Sequence, residues 1–243
     1  TKVSWVTIRV IGIQLPADLF KPLENLEFLE LGHNKMNSLE PKKKKNNRKL
    51  QRLNLWGNNL RSLDKEAFKG LDYLQELDLS ANGMESIEPD LFAYLGNLTH
   101  LNLGSNNFVA LPEALLANNP KLSVIKLLEN REIIDSLPDG LLANKTQLTE
   151  VYIRCRLRKI PENMFEGSTA IVNIKLDQNE LEILPDELFK DQVKLERLDL
   201  SMNFISELSE EIFLNTEALN ELKLSNNRIS KVSKYTFQKL KKL

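Results

Sequence analysis

The sequence is poor in the residues that carry most catalytic, redox and metal chemistry. Its 243 residues include two histidines and one cysteine, Cys155, so a disulfide within the chain is excluded. Nine glycines and nine prolines exclude collagen-like and low-complexity chains. Apolar runs are too short to span a bilayer. The composition therefore favours a binding or structural role over catalysis.

An excess of charge of one sign is also lacking. Lys and Arg number 33 and Asp and Glu number 34, which gives a net charge of −1. Phosphate binding needs a net or clustered positive field, so the composition argues against nucleic acid as a partner. Hydrophobic residues make up 42% of the chain, which is enough to form a buried core.

What the sequence does contain is a repeat with a period of 24 residues. Around its asparagines lies one frame, written for one turn as Leu50-x-x-Leu53-x-Leu55-x-x-Asn58-x-Leu60-x-x-Leu63. We call the recurring asparagines the asparagine ladder: Asn34, Asn58, Asn82, Asn106, Asn130, Asn179, Asn203 and Asn227. Consecutive members are 24 residues apart, except for an interval of 49 before Asn179.

This frame is identified as that of the leucine-rich repeat. The resemblance predicts an α/β leucine-rich-repeat solenoid, a curved horseshoe with a parallel β-sheet on its concave face. Its convex segments are expected to be irregular or short helices. The whole range 1–243 is predicted to be a single solenoid of about ten repeats, and an ordered fragment without cysteine-rich caps.

A phenylalanine column supports the same fold. We call it the phenylalanine spine, and it comprises Phe20, Phe68, Phe92, Phe165, Phe189, Phe213 and Phe237. These residues are expected to stack beneath the convex side. Two turns lack the ladder asparagine and carry Val10 and Cys155 in its place. Cys155 is interpreted as a small buried apolar substitute, and the alternative is a reactive thiol.

One convex segment cannot form core, because six cations fall within the eight residues of Lys42–Lys49. We interpret the run Lys42–Lys45 as a solvated or mobile loop. The alternative is a docking patch for a polyanionic glycan or anionic lipid headgroups.

Replacing the four lysines with Ser should leave the thermal unfolding midpoint nearly unchanged, since exposed charges contribute about 0.5 kcal/mol or less each. A loss of several kcal/mol would show that the run packs against the core.

The repeats resemble the "typical" extracellular class, as Leu184-Pro-Asp-Glu-Leu-Phe189 and Ile160-Pro-Glu-Asn-Met-Phe165 show. From Asn97 onward the chain is similar to insect Toll receptor ectodomains, above all in Leu198-Asp-Leu-Ser-Met-Asn203 and in Leu148–Pro161. The resemblance implies a non-catalytic region that binds a cystine-knot cytokine (Spätzle-like) and supports receptor pairing. It also implies innate-immunity or developmental signalling at the extracellular face of the plasma membrane, with the membrane anchor outside this chain.

A second reading is a secreted or matrix leucine-rich-repeat protein with an adhesive or structural role. The flanking sequence would distinguish the two, because a receptor has a transmembrane segment and a signalling domain. Two glycosylation triplets, Asn97-Leu-Thr99 and Asn144-Lys-Thr146, favour an exported protein under either reading.

The sequence contains no recognisable motif for catalysis or metal binding. His33 and His100 lie three turns apart, roughly 15 Å at ~4.8 Å per strand, too far to share a metal ion. No glycine-rich phosphate loop, CxxC pair or HExxH is present. We predict no enzyme activity, no metal and no cofactor. A catalytic role would require a pocket formed by Asp and Glu side chains of several repeats.

The candidate binding residues occupy strand positions that should face solvent. Toward the N-terminus these positions carry three aromatic residues beside acidic ones, a combination that interfaces favour. The predicted ligand-binding residues are Trp5, Phe28, Glu30, Arg52, Trp56, Glu76 and Asp78. An alternative is that Trp5 and Phe28 pack beneath an N-terminal cap. Toward the C-terminus, Lys175, Asp199 and Lys223 alternate along one column and Arg197 adjoins Glu221, so these charges are expected to neutralise one another.

Overall fold

A computed structural model describes residues 3–9, 22–39, 47–130 and 134–243. The chain divides into two compact units, Thr1–Leu122 and Ser123–Leu243, which we call unit one and unit two. Val10, Phe20 and the lysine run Lys42–Lys45 lie outside the described residues. The interpretations given for them therefore stay predictions.

Unit one contains five short parallel strands, which lie side by side in chain order. They are β1 (Trp5–Thr7), β2 (Phe28–Glu30), β3 (Arg52–Asn54), β4 (Glu76–Asp78) and β5 (His100–Asn102). The central residues Val6, Leu29, Leu53, Leu77 and Leu101 are in register. The residues on either side of each central residue thus form columns that run across the strands.

Unit two has the same construction. Its strands are β6 (Val124–Leu128), β7 (Glu150–Arg154), β8 (Asn173–Lys175), β9 (Arg197–Asp199) and β10 (Glu221–Lys223), again parallel and in chain order. Val151, Ile174 and Leu198 are in register and buried.

The repeat frame explains these elements. Side chains alternate between the two faces of a strand, so an L-x-L core sends both leucines inward and exposes the residue between them. Leu53 and Leu55 are buried while Asn54 between them is half-buried. In the described part of the chain, the segments between strands are turns and extended stretches without helix. The predicted solenoid with parallel strands is confirmed. Of the two forms expected for the connecting segments, irregular or short helical, the described segments have the irregular one.

The asparagine ladder bonds the turns together. Seven of its eight members are at most 4% exposed. The side-chain Nδ2 of Asn82 donates to the carbonyls of Leu55 (3.0 Å) and Leu79 (2.9 Å), and its Oδ1 accepts the N–H of Leu60 at 3.2 Å. The Asn82 carboxamide thereby satisfies backbone groups of its own turn and the preceding one, as buried polar groups require.

The phenylalanine spine is also present within each unit. Phe68 and Phe92 stack in unit one with ring centroids 6.2 Å apart. In unit two Phe165 stacks on Phe189 at 6.2 Å and Phe213 on Phe237 at 6.0 Å. All of these are buried except Phe237, which is 38% exposed.

Cys155 occupies a ladder position as an unreactive thiol. It is fully buried and free, and its main-chain N–H donates to Oδ1 of Asn179 at 3.0 Å. Burial raises the pKa of the Cys155 thiol to about 12, so it stays protonated at physiological pH. This agrees with the small apolar substitute and not with the reactive thiol.

Candidate functional site

The predicted binding residues of unit one lie on the side of β1–β4 opposite the buried leucines. The burial pattern of β2, β3 and β4 is the same, with a buried central residue between two half-buried ones. Strand alternation therefore places the predicted positions toward solvent. Trp5 is 62% exposed and Trp56 is 36% exposed, although tryptophan is highly buried on average.

Four of these residues make one continuous row across the strands. The rings of Trp5 and Phe28 lie 5.6 Å apart, and the guanidinium of Arg52 lies 5.7 Å from the Phe28 ring centroid. Arg52 then forms an ion pair with Glu76, in which Nη2 donates to Oε1 at 2.8 Å and Nε lies 2.6 Å from Oε2. We call Trp5, Phe28, Arg52 and Glu76 the aromatic–arginine row.

The charge of Arg52 is compensated within this row. The hydrogen bond to Glu76 raises the pKa of Arg52, burial opposes that shift, and the charges of Glu76 and Glu30 add to it. A guanidinium that is paired with a carboxylate at its edge can also stack by its flat face on a neighbouring ring. The row is thus a pre-ordered surface of two rings and one ion pair.

Trp56 belongs to a second cluster. Its ring meets that of His33 edge-on with centroids 3.9 Å apart. It also lies against Gly32, where an added Cβ would come within 3.5 Å of Cε3 of Trp56. Among the described residues no ring contact joins Trp56 to Trp5 or Phe28. The three aromatic residues share one face, but among them a ring contact joins only Trp5 and Phe28.

Asp78 has a structural role in addition to its predicted one. Its Oδ1 accepts the main-chain N–H of Ser80 at 2.8 Å, and its Oδ2 accepts from Nδ2 of Asn102 at 3.0 Å. These bonds stabilise the turn after β4 and connect it to β5. A carboxylate already bonded by several donors is a weaker candidate for ligand contact than Glu30 or the aromatic residues.

Unit two confirms part of the expected charge neutralisation. Lys223 bonds Glu221 at 2.8 Å and approaches Asp199 at 3.9 Å, and the hydrogen bond from Lys223 lowers the pKa of Glu221. Arg197 is in register with Glu221 but makes its ion pair with Glu196 at 3.4 Å. A shared column therefore predicts adjacency, whereas the choice of partner depends on side-chain direction.

The comparisons with known proteins agree on the type of repeat. Three leucine-rich-repeat family profiles match the chain: a leucine rich repeat profile over residues 48–108, a second over residues 97–120, and a BspA-type leucine rich repeat region over residues 135–243. The chain is similar to Toll in the Toll–Spatzle complex from Drosophila, with 38% identity and a TM-score of 0.91. The chain belongs to the leucine-rich repeat proteins, and its repeats are similar to those of Toll.

Further similarities concern only parts of longer chains. Protein toll of Drosophila melanogaster is 39% identical over 57 residues, which is 24% of this chain and 5% of that protein. The Toll similarity covers 94% of this chain and 30% of the Toll chain. The protein chain of the TLR13–ssRNA13 complex is 25% identical with a TM-score of 0.83, over 96% of this chain and 34% of that one. The chain thus spans about a third or less of the Toll proteins that it matches.

The leucine-rich-repeat solenoid of this chain is a non-enzymatic type of binding scaffold. The described residues contain no group of three or more His, Cys, Asp or Glu side chains placed to hold a metal ion. In that same part of the chain, no helix has both the length and the apolar character needed to cross a bilayer.

The two glycosylation triplets differ in their surroundings. Nδ2 of Asn97 donates to the carbonyl of Asp72 at 2.7 Å, and its Oδ1 accepts from Nζ of Lys121 at 2.7 Å. Asn144 is exposed, with a positive φ of 56°. Glycosylation at both positions remains a prediction, and Asn144 offers the more open side chain.

Proposed function

We propose that this chain is a ligand-binding region of a Toll-type receptor and that the strand face of unit one binds the ligand. The observation that carries this proposal is the aromatic–arginine row, which contains the exposed Trp5, together with the second exposed tryptophan, Trp56, on the same face. Exposed aromatic residues and arginine are enriched at the hot spots of protein interfaces. The proposed contact residues are Trp5, Phe28, Glu30, Arg52, Trp56, Glu76 and Asp78.

We propose a protein ligand of the cystine-knot cytokine type, similar to the Spatzle of the Toll–Spatzle complex. The charges of unit one support a protein ligand over nucleic acid. Glu30, Glu76 and Asp78 lie on the proposed face, and the one cation among the proposed residues, Arg52, is paired with Glu76. A phosphate backbone would meet net repulsion there, although the similar TLR13 chain is in complex with RNA.

The proposed setting is the extracellular face of the plasma membrane, with receptor pairing linked to ligand binding. Such a receptor requires a membrane-spanning segment elsewhere in its full-length chain. The alternative of a secreted or matrix protein shares the binding face but lacks that segment. The full-length sequence distinguishes the two.

Replacing Trp56 with Ala should weaken binding of a Spätzle-like cystine-knot cytokine by at least tenfold. Truncating an interface aromatic residue commonly costs about 2 kcal/mol, which corresponds to roughly thirtyfold in affinity. Biolayer interferometry with the immobilised chain measures this change. Because the Trp56 side chain is partly exposed, the unfolding curve should shift little.

Lys223→Ala is the matched control, since Lys223 lies on the strand face of unit two and bonds Glu221 and Asp199. Lys223→Ala should change the affinity for the cytokine less than twofold and leave the unfolding curve nearly unchanged. Normal binding by Trp56→Ala together with weakened binding by Lys223→Ala would place the ligand on unit two and overturn the proposal.

A further inference from the structure

The strand face of unit two carries a tyrosine between two lysines. Lys126, Tyr152 and Lys175 occupy the same column on β6, β7 and β8, in register. The ammonium nitrogens of Lys126 and Lys175 lie 5.8 Å and 5.6 Å from the Tyr152 ring centroid. We call these three residues the Lys–Tyr–Lys site.

The tyrosine of this site is fixed in place. Its hydroxyl donates to the carboxylate of Glu150 and accepts from Nδ2 of Asn173 at 3.2 Å. Burial raises the pKa of Tyr152, and the hydrogen bond and charge of Glu150 raise it further, so the phenol is neutral at physiological pH. A neutral, oriented ring attracts both ammonium groups by cation–π interaction and keeps them apart.

The two lysines differ from the other cations of this face in having no carboxylate partner. Arg154 bonds Asp177 at 2.6 Å, and Lys223 bonds Glu221 at 2.8 Å. Among the residues that the structure describes, no carboxylate oxygen lies within 4.0 Å of the ammonium nitrogen of Lys126 or Lys175. Both lysines are exposed. The site therefore presents to solvent two ammonium groups that form no ion pair with a described residue.

The separation of these charges selects among anions. The lysines lie two strands apart, which is roughly 10 Å at ~4.8 Å per strand. One phosphate or sulfate group bonds cations at about 2.8 Å and is too small to reach both at that separation. Two carboxylates on alternate residues of an extended segment lie about 7 Å apart on one face, which allows each to bond one lysine.

A short acidic segment also fits the neighbouring positions better than a long polyanion does. The column continues from Lys175 to Asp199 on β9, so a third anionic group would meet a carboxylate. Glu150 and Asp177 flank the site in the adjacent columns. The positive field is thus confined to two points.

From this geometry we propose that the Lys–Tyr–Lys site binds an extended acidic segment of a protein partner, with carboxylates on alternate residues and its chain running across β6–β8. The site lies on unit two and uses none of the residues assigned to the face of unit one. Its occupant is recognised by two charge-assisted hydrogen bonds, so binding should weaken steeply with salt.

A synthetic fluorescent peptide with a Glu-x-Glu core in a Gly/Ser background tests the proposal by anisotropy at low ionic strength. Lys126→Gln and Lys175→Gln should each weaken binding about tenfold, as expected for loss of one charge-assisted bond. Lys223→Gln, which removes a lysine already paired with Glu221, should change binding less than twofold. A Gln-x-Gln peptide should bind no more tightly than the lysine variants bind Glu-x-Glu.

Three outcomes would overturn this assignment. Equal losses in Lys126→Gln and Lys223→Gln would indicate non-specific charge attraction. Unchanged binding in Lys175→Gln would remove the two-point contact. Tighter, lysine-dependent binding of a heparin-derived oligosaccharide would show that the occupant is a sulfated glycan. Trp56→Ala, on unit one, should leave peptide binding unchanged, so failure here and failure of the proposed ligand face are distinguishable.

Discussion

Replacing Phe92 with Ala should lower the free energy of unfolding by about 3–5 kcal/mol, the largest loss that we expect from a single substitution. Phe92 is fully buried and stacks on Phe68 with ring centroids 6.2 Å apart. Its removal forfeits the apolar burial of a whole ring and leaves a cavity between turns that each contact only their neighbours. Urea denaturation followed by circular dichroism measures the loss.

Phe237→Ala is the control for that substitution. Phe237 stacks on Phe213 at a similar distance, 6.0 Å, but is 38% exposed. Its loss should be well under half of that at Phe92, because less surface is removed from water in the folded chain. Equal losses at the two positions would show that the phenylalanine spine stabilises by ring stacking alone and not by burial.

Replacing Asn82 with Ala should cost about 1–3 kcal/mol, the second-largest stability effect, because no water reaches the groups that it serves. The N–H of Leu60 and the carbonyl of Leu55 lie in the adjacent turn and bond the Asn82 carboxamide at 3.2 Å and 3.0 Å. An alanine leaves that buried N–H without an acceptor. The same urea titration measures the change.

Asn102→Ala tests whether position or residue type matters. Asn102 is half-buried on the strand face and bonds Asp78 and the N–H of Gly104. Water can replace these bonds at an accessible site, so the loss should be much smaller than at Asn82. Similar losses for Asn82→Ala and Asn102→Ala would contradict the register of the repeat.

The sequence was sufficient to predict the strands and their core. The frame around Asn58 assigns Leu53 and Leu55 to the interior, and the structure buries both. Repeat periodicity succeeds here because each turn contacts mainly its neighbours, so one turn's register determines the next. Asn82 and Phe92 were placed correctly for the same reason.

A second buried polar column escaped the sequence analysis. Asn119 donates to the carbonyls of Phe92 and Leu95, and Gln192 donates to that of Phe165 at 2.9 Å. Both residues stand three positions before the first leucine of a turn, where other turns carry Leu71 or Leu95. This position is polar in some turns and apolar in others, so the column was not recognised from the sequence, although its spacing was regular.

The periodicity of the sequence also could not predict which neighbouring side chains contact one another. Register placed Lys175 beside Asp199, yet the Lys175 ammonium lies over the Tyr152 ring instead. Trp56 likewise packs against His33 and not against Phe28. A column position has neighbours on both sides, and small differences in rotamer energy and solvation choose between them.

The central claim is that ligand binds the strand face of unit one, and the chain offers a direct test. Its two tryptophans, Trp5 and Trp56, both lie on that face. Labelling the chain with 5-fluorotryptophan gives one ¹⁹F resonance for each, and an unlabelled cystine-knot cytokine adds no signal of its own. Titration should shift or broaden both resonances in step with complex formation seen by size-exclusion chromatography. A complex that forms while both resonances stay unchanged would contradict the account.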